Sequence, residues 1–282
     1  MKVGNIITIN PKREAPFTAE VALNMEAYLV IERRQIHYAA RSTDDISRVY
    51  TAYVQIDNQA GGGMQQLFWE YPIFALPYKS TEICIADNSP FVVVPQDLLG
   101  SASIDEWLGI ATDFRGRKVM SIDLDEERSS IIYTVSQELF DFSQRSFSIP
   151  SYTHSAVPFV QLAVTLTRRD MPRVVVIHHL GEHIHVVIAS EGRLLLANRY
   201  KVASDIDTLY YITALFRQFK FNPHDTPLMV YSYESIEQLL NLLGESNSDV
   251  RVNSYPYLSK KFQQNRNIET MHQQLVLQLL CV

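Results

Sequence analysis

Glycine is scarce in this chain: ten glycines among 282 residues amount to about 3.5%, half of the roughly 7% that is usual in proteins. Loops that wrap phosphates need glycine, because it adopts positive φ and lets backbone N–H groups approach a ligand closely. Neither the Walker pattern nor the dinucleotide-binding glycine pattern occurs. The one glycine cluster, Gly61-Gly62-Gly63, is not followed by Lys-Ser or Lys-Thr, so it predicts a flexible connection.

Cysteine and long apolar runs are also scarce. Cys84 and Cys281 are the two cysteines, too few for a disulfide framework or a cysteine zinc site, which fits a reducing compartment. The longest apolar run is Ala27 to Ile31, whereas a membrane-spanning helix needs roughly 20 residues. No charged-then-apolar leader follows Met1. We therefore expect a cytoplasmic protein without membrane insertion.

Basic residues are outnumbered by acidic ones. The sequence has 25 Lys and Arg against 31 Asp and Glu, a net charge of -6. Such a charge repels a phosphate backbone, so nucleic acid is not an expected partner. The hydrophobic fraction of 46% is ordinary for a packed globular protein, which excludes a disordered chain.

The first part of the sequence predicts strands that alternate with helices. A β-hairpin is indicated by Ala27 to Ile31 and Ile36 to Ala40, around the turn Glu32 to Gln35. A second hairpin joins residues 118–124 and 130–135 around the acidic run 123–127. Further strands are predicted at residues 51–56, 81–86 and 91–94, and helices at residues 64–74, 96–99, 137–147 and 155–168.

The pattern then restarts. Residues 173–177 predict a strand, His178 to Glu182 a turn, and residues 183–189 and 194–200 two further strands. An amphipathic helix at residues 205–220 follows, with Ser204 as its N-cap. A strand at residues 228–231, a helix at residues 235–243 that ends before Gly244, and an amphipathic tail at residues 273–280 complete the prediction.

The restart indicates an internal duplication. Ile36-His37 and Ile184-His185 occupy the same place in two hairpins, 184 − 36 = 148 residues apart. Each hairpin leads into a third strand, a helix and a further strand. We therefore predict two halves of one topology, residues 1–150 and 151–282, connected near residues 150–172.

Three segments carry a resemblance to a known family: Gly192 to Tyr200, Ala203 to Ile212, and Val94 to Leu99. From about residue 20 to residue 255, the chain resembles a bacterial family grouped only as a domain of unknown function. Its members resemble the actin-like ATPase fold, in which two ribonuclease-H-like halves face each other across a cleft. The resemblance implies an α/β protein with duplicated halves, each a mixed sheet flanked by helices, but it implies no catalytic residues.

An actin-like ATPase would place an acidic residue and glycine in the first strand of each half, and a glycine pair at the adenosine site. Those groups hold the metal and let backbone N–H groups reach phosphate. Here the first turn, Glu32 to Gln35, has no glycine; the second, His178 to Glu182, has histidine where aspartate is expected and keeps only Gly181. Met229 to Glu234, at the adenosine position, has no glycine. The resemblance therefore supports the fold but not the ATPase activity.

Four of the eight histidines form a cluster: His178, His179, His183 and His185. In a tight hairpin, either His178 or His179 shares a face with His183 and His185, depending on the turn length. Three imidazoles and a water are a common zinc arrangement, with Glu182 as a further ligand or base. The alternative is a polar strand face of neutral histidines. By the predicted repeat, His37 takes the equivalent place on the other hairpin.

Other groups of residues give weaker indications of a functional site. The carboxylates of residues 123–127 lack the glycine and spacing of a calcium loop, which favours a solvated turn. Arg33 and Arg34 could bind phosphate or an acidic partner, or simply be exposed. Cys84 lies in an apolar strand and is expected in the core. The 15 tyrosines and the tail Leu275 to Leu280 suit either packing or a protein contact.

Three hypotheses follow for the function. The first is a non-catalytic binding or scaffold module with a protein partner or a second copy. The second is a divergent actin-like ATPase that binds ATP and magnesium through Glu32, Arg33, Arg34, Gly181 and Glu182. The third is a metal-dependent hydrolase that uses the histidine cluster.

Overall fold

The computed structural model describes residues 5–13, 15–32, 35–45, 48–55, 63–86, 89–232 and 237–246. The strands in this part of the chain are β1 (Asn5–Thr8), β2 (Met25–Ile31), β3 (Gln35–Ser42), β4 (Arg48–Gln55), β5 (Ser80–Ile85), β6 (Phe91–Pro95), β7 (Arg117–Leu124), β8 (Ser129–Ser136), β9 (Pro150–His154), β10 (Arg173–His179), β11 (His183–Ser190), β12 (Arg193–Lys201) and β13 (Leu228–Ser232). The helices are α1 (Ala19–Ala22), α2 (Gly63–Glu70), α3 (Gln96–Leu99), α4 (Ile104–Gly109), α5 (Gln137–Ser146), α6 (Ala156–Arg169), α7 (Asp205–Gln218) and α8 (Glu237–Ser246).

The strands form two large mixed sheets and one small antiparallel sheet. The first sheet has the order β1-β4-β3-β2-β5-β9, and the second has the order β12-β11-β10-β13. The small sheet, β6-β8-β7, lies in the chain between β5 and α5. It has its own small core of Val94, Leu108, Val119 and Ile132.

The two large sheets share a central arrangement. In the first, β3 is antiparallel to both β2 and β4, and β5 is parallel to β2. In the second, β11 is antiparallel to both β10 and β12, and β13 is parallel to β10. His37 is opposite Val30 in the first hairpin, and His185 is opposite His178 in the second. The duplication and the division into halves remain proposals; β9, which begins at Pro150, pairs with β5 in the first sheet.

Helix α6 connects the two large sheets. Ten of its fourteen residues are buried, including Phe159, Val160 and Leu166. These three residues belong to one core cluster that includes Leu29 of the first sheet and Val176 of the second. This continuous apolar contact fixes the position of the second sheet relative to the first.

The second sheet is covered on both faces. Side chains alternate along β10, so that Val174 and Val176 face the core around α6. Val175 and Ile177 belong instead to a second cluster with residues of α7 and α8, such as Phe216. Burial on both faces explains the continuous apolar run of β10.

The predicted hairpins and the long helices at residues 137–147, 155–168 and 205–220 correspond to structural elements with small shifts at their ends. Ser204 caps α7, because its side chain accepts the N–H of Asp207 while the Asp207 carboxylate binds the N–H of Ser204. Three predictions were wrong in detail. The helix predicted at residues 64–74 is interrupted before Pro72, which begins a short 3₁₀ helix. His178 and His179 lie in β10 rather than in the turn. Helix α8 continues past Gly244.

Four elements were not predicted: β1, α1, α4 and β9. Within the described residues, no helix combines the length and the apolar character needed to cross a membrane. The predicted tail at residues 273–280 lies outside the described residues.

Candidate functional site

Three parallel strands of the first sheet end together at one edge. The N–H of Ala86, after β5, donates to the carbonyl of Ile31 in β2 at 2.9 Å, and the N–H of Ser155, after β9, donates to the carbonyl of Ile85 at 2.9 Å. These bonds align the strand ends, so that Glu32 and His154 both lie at this edge. Helix α6 begins directly after Ser155.

A row of side chains crosses the second sheet near the carboxyl end of β10. His178 of β10 is opposite Tyr231 of β13 on one side and His185 of β11 on the other. His185 is in turn opposite Arg199 of β12. Paired residues in neighbouring strands point to the same face, so this row shares the face that packs toward α6.

The two edges meet in a buried group of imidazole and aromatic rings. His154 stacks on His185 with ring centroids 5.5 Å apart and an interplanar angle of 30°. Phe91, the first residue of β6, contacts both rings at centroid distances of 4.9 and 5.2 Å. Tyr133 of β8 lies 5.4 Å from His154. All three sheets therefore contribute to this group, which we call the junction cluster: Phe91, Tyr133, His154, Phe159, His178 and His185.

Helix α6 adds one more ring to the cluster. Phe159 contacts His178 at a centroid distance of 4.5 Å and Tyr231 at 5.1 Å. His154, His178 and His185 are 0%, 3% and 1% exposed. The junction cluster is therefore packed with side chains and shielded from water.

The two stacked histidines of the junction cluster make few hydrogen bonds. The N–H of Ala156 donates to His154 Nδ1 at 3.1 Å, which leaves the proton of a neutral ring on Nε2. His185 Nδ1 lies 3.4 Å from Ser155 Oγ, while among the described residues its Nε2 has no hydrogen-bond partner. Burial lowers the pKa of His185 well below its usual value. The neighbours that lower it further are His154, His178, Arg199 and His183.

Of the four histidines predicted as metal ligands, His178, His183 and His185 lie on one face of the second sheet, because His183 is two residues from His185 on β11. His178 shares a face with His185, whereas His179 points to the opposite face of β10, where its Nε2 lies 3.9 Å from Asp205 Oδ1. His183 is partly exposed, and burial together with Arg199 lowers its pKa. Within the described part of the chain, no group of three His, Cys, Asp or Glu side chains is arranged to hold a metal ion.

The hairpin turn of the first sheet contains a different polar group. The side chain of Gln35 donates to the Glu32 carboxylate, and Tyr53 Oη donates to Gln35 Oε1 at 2.9 Å. Burial raises the pKa of Glu32 to about 7, against the opposing influence of Gln35 and His37. Arg33 and Arg34 lie outside the described residues.

The second hairpin turn retains one feature of a phosphate-binding turn. Gly181 has φ +69°, a conformation that favours glycine. Glu182, the next residue, is exposed.

The acidic run predicted as a solvated turn makes a specific contact. Residues Asp125–Glu127 form a short 3₁₀ helix. Glu126 forms a salt bridge with Arg168 near the end of α6, and Arg168 Nη2 donates to the Glu126 carbonyl at 2.9 Å. Gly192, in the turn between β11 and β12, donates its N–H to Thr167 Oγ1 at 3.2 Å. The small sheet, α6 and the second sheet are thus joined at a second point.

A known family model matches most of the chain. Residues 27–244 match the model described as a protein of unknown function, DUF3822. The chain belongs to the DUF3822 family. No curated protein is similar to it in sequence.

Two solved structures show the fold of this family member. A protein from Bacteroides thetaiotaomicron VPI-5482, described as having an actin-like ATPase fold and unknown function, superposes with a TM-score of 0.81 at 15% identity, covering 95% of this chain and 100% of that one. The PilM–PilN type IV pilus biogenesis complex gives a TM-score of 0.54 at 10% identity, covering 91% and 98%. The chain therefore has the actin-like ATPase fold, as its sequence resemblance implied.

Sequence reasoning singled out His178 and His185 but not the other rings of the junction cluster in this DUF3822 protein. His154, Phe91 and Tyr133 come from three separate strands, and their meeting depends on tertiary packing. The only local signal was the position of His154, directly before the helix predicted at Ser155.

Proposed function

We propose that this protein is a protein-binding scaffold module that keeps the actin-like ATPase fold but has lost nucleotide handling. The observation that carries the proposal is the junction cluster. At the junction of the two large sheets, His154, His178 and His185 are fully packed against Phe91 and Phe159. A triphosphate between the sheets would have to displace these rings.

The chemistry of the available donors supports this proposal. Mg²⁺ prefers oxygen ligands, whereas His178 and His185 offer imidazole nitrogens. Glu32 has a pKa of about 7 because of burial, so near neutral pH it is protonated in about half of the molecules. Glu182 is exposed but lies in a turn with a single glycine. The described residues therefore do not fit a magnesium-bound triphosphate.

A protein partner is supported by the fold comparison. The PilM protein is described in a complex with PilN, so the same fold does occur in a protein complex. For this chain, the proposal includes a protein partner or a second copy. It also includes a cytoplasmic location, which the free thiol of Cys84, buried in β5, supports.

The alternative is a divergent ATPase, and the positive φ of Gly181 favours it. Under that alternative, ATP and magnesium would contact Glu32, Arg33, Arg34, Gly181 and Glu182.

Thermal unfolding with and without ATP and MgCl₂ separates the two functions. A ligand present at 100 times its dissociation constant stabilises the folded state by about 2.7 kcal/mol, which would raise the melting temperature by several degrees. The scaffold proposal expects no change at millimolar ATP. An increase with ATP and magnesium, absent with magnesium alone and in Gly181→Ala, would support the ATPase.

A further inference from the structure

Three exposed apolar side chains lie on the two short helices of the small sheet. Leu98 of α3 is 47% exposed, Ile104 of α4 is 37% exposed, and Ile110, which caps α4, is 78% exposed. Exposed apolar residues are normal when they are scattered singly, but a contiguous group marks an interaction site.

Trp107 connects Ile104 and Ile110 into one row along α4. Positions three apart are neighbours on a helix, so Trp107 lies between Ile104 and Ile110 along α4. Its side chain is partly buried and packs on the small core. Among the described residues, its indole nitrogen has no hydrogen-bond acceptor. We call the group Ile104, Trp107 and Ile110 the α4 surface.

A capping box and a buried leucine fix the position of α4 on the small sheet. Ser103 and Glu106 form a capping box at the start of α4, with the Ser103 N–H donating to Glu106 Oε2 at 2.8 Å. Leu108, on the inner side of the helix, is fully buried. A preformed surface loses little conformational entropy when a partner binds.

The charge around this surface is negative. Residues 89–114 contain four acidic side chains and neither lysine nor arginine. Asp97 pairs with Arg128 at 3.2 Å and Asp113 with Arg115 at 2.5 Å. Asp105 and Glu106, in the first turn of α4, therefore supply the negative charge next to the apolar row.

The small sheet is inserted after β5 of the first large sheet, and among the described residues the second large sheet has no equivalent insertion after β13. In the first half, the segment between β5 and α5 contains β6, α3, α4, β7 and β8. In the second half, residues 233–236 alone separate β13 from α8. The sheet arrangement itself does not require this addition.

We propose that the α4 surface binds an amphipathic helix of a protein partner, with an apolar face that covers Ile104, Trp107 and Ile110 and basic residues beside Asp105 and Glu106. The proposal rests on the scaffold function and names its contact surface. A second copy of the chain is disfavoured as the occupant, because two acidic surfaces of the same kind would repel each other. Anionic lipid is disfavoured for the same reason.

Tryptophan fluorescence gives a direct test in the full chain. The sequence has two tryptophans, and Trp69 is 88% exposed on α2, so Trp69→Phe leaves Trp107 as the only reporter. The probe is an 18-residue peptide of lysine and leucine with leucines on one helical face. We expect a saturable blue shift of the Trp107 emission. A glutamate and leucine peptide of the same pattern should cause none.

Two variants and one control locate the binding. In the Trp69→Phe background, Ile110→Ser should weaken peptide binding about tenfold, and Asp105→Asn should weaken it less and reduce its salt dependence. Ile206→Ser is the matched control, because Ile206 is 63% exposed on α7, far along the chain from the α4 surface. Melting temperatures show whether each variant remains folded.

Several results would overturn the proposal. They are the absence of a blue shift, equal binding of the acidic peptide, or unchanged binding by Ile110→Ser. A blue shift that depends on protein concentration without peptide would assign the surface to a second copy instead. If ATP with magnesium raises the melting temperature while the peptide results hold, the loss of nucleotide handling is refuted and the docking surface stands.

Discussion

The imidazole of His154 stacks on that of His185 across the junction of the two large sheets, with ring centroids 5.5 Å apart. His154 ends the last strand of the first sheet, and His185 is central in the hairpin of the second. Because both rings are buried, their contact couples the protonation of His185 to the stability of the fold.

The first prediction concerns the loss of folding stability at acidic pH. The pKa of His185 is well below its usual value of 6.5 in the folded protein and returns to that value on unfolding. As the pH falls below about 6.5, the unfolded chain binds a proton that the folded chain does not, so stability falls by about 1.4 kcal/mol per pH unit for this group. The charged and titratable groups that face it are His154, His178, His183 and Arg199.

Urea unfolding between pH 5 and pH 7 measures this effect. His185→Phe keeps an apolar ring in the junction cluster and removes one titrating group, so its stability should depend less on pH. His224→Phe, at an exposed position, is the control and should keep the wild-type slope. An unchanged slope in His185→Phe would contradict the assignment.

The second prediction concerns Glu32 and has the opposite sign. Burial raises its pKa to about 7 in the folded protein, whereas in the unfolded chain it ionises near 4.5. Between these values the folded state holds a proton that the unfolded state has lost, so stability falls as the pH rises from about 4.5 to 7. Glu32→Gln should therefore stabilise the protein by about 1–3 kcal/mol at pH 8 and much less at pH 4.5.

Glu182→Gln is the control for this variant, because Glu182 is exposed in the turn of the second sheet. It should show no comparable gain at pH 8. A destabilised Glu32→Gln at pH 8 would mean that the ionised carboxylate is the form that the fold requires.

The third prediction concerns two glycines with the same backbone conformation. Gly116 and Gly192 both have φ +74°, but a Cβ at Gly192 would lie 2.6 Å from Arg168 Cγ, whereas a Cβ at Gly116 meets no atom within 4 Å. Gly116→Ala should cost about 1–2 kcal/mol from backbone strain alone. Gly192→Ala should cost about 1–3 kcal/mol more, because Arg168 must move away from Glu126.

Chemical unfolding of the two glycine variants gives this difference directly. If they lose equal stability, Arg168 moves without cost and the contact among Glu126, Arg168 and Gly192 does not stabilise the fold.

Local sequence signals were sufficient to predict most of the strands and helices. Short apolar runs bounded by polar turns defined the hairpins of the two large sheets, and Ser204 with Asp207 marked the start of α7. Strand β9 was missed because Pro150, Ser151 and Thr153 interrupt any apolar pattern. Helix α8 continues through Gly244 because Leu239 and Leu243 pack in the core, which overrides the weak helix propensity of glycine.

The candidate site was harder to predict from the sequence. The histidine cluster was noticed, but the choice between His178 and His179 depended on the turn length, which local sequence did not fix. The actual partner of His185 is His154, whose strand pairs with β5, and such a long-range contact has no local signature. The charge of Glu32 depends on its burial, which also arises only in the folded chain.

Under the scaffold proposal, packed rings at the sheet junction occupy the space that a nucleotide would need. Equilibrium dialysis of the full chain against radiolabelled ATP with MgCl₂ measures bound nucleotide per chain. We predict no bound nucleotide at millimolar ATP, both in the wild type and in Gly181→Ala. One ATP per chain in the wild type, lost in Gly181→Ala, would contradict the claim.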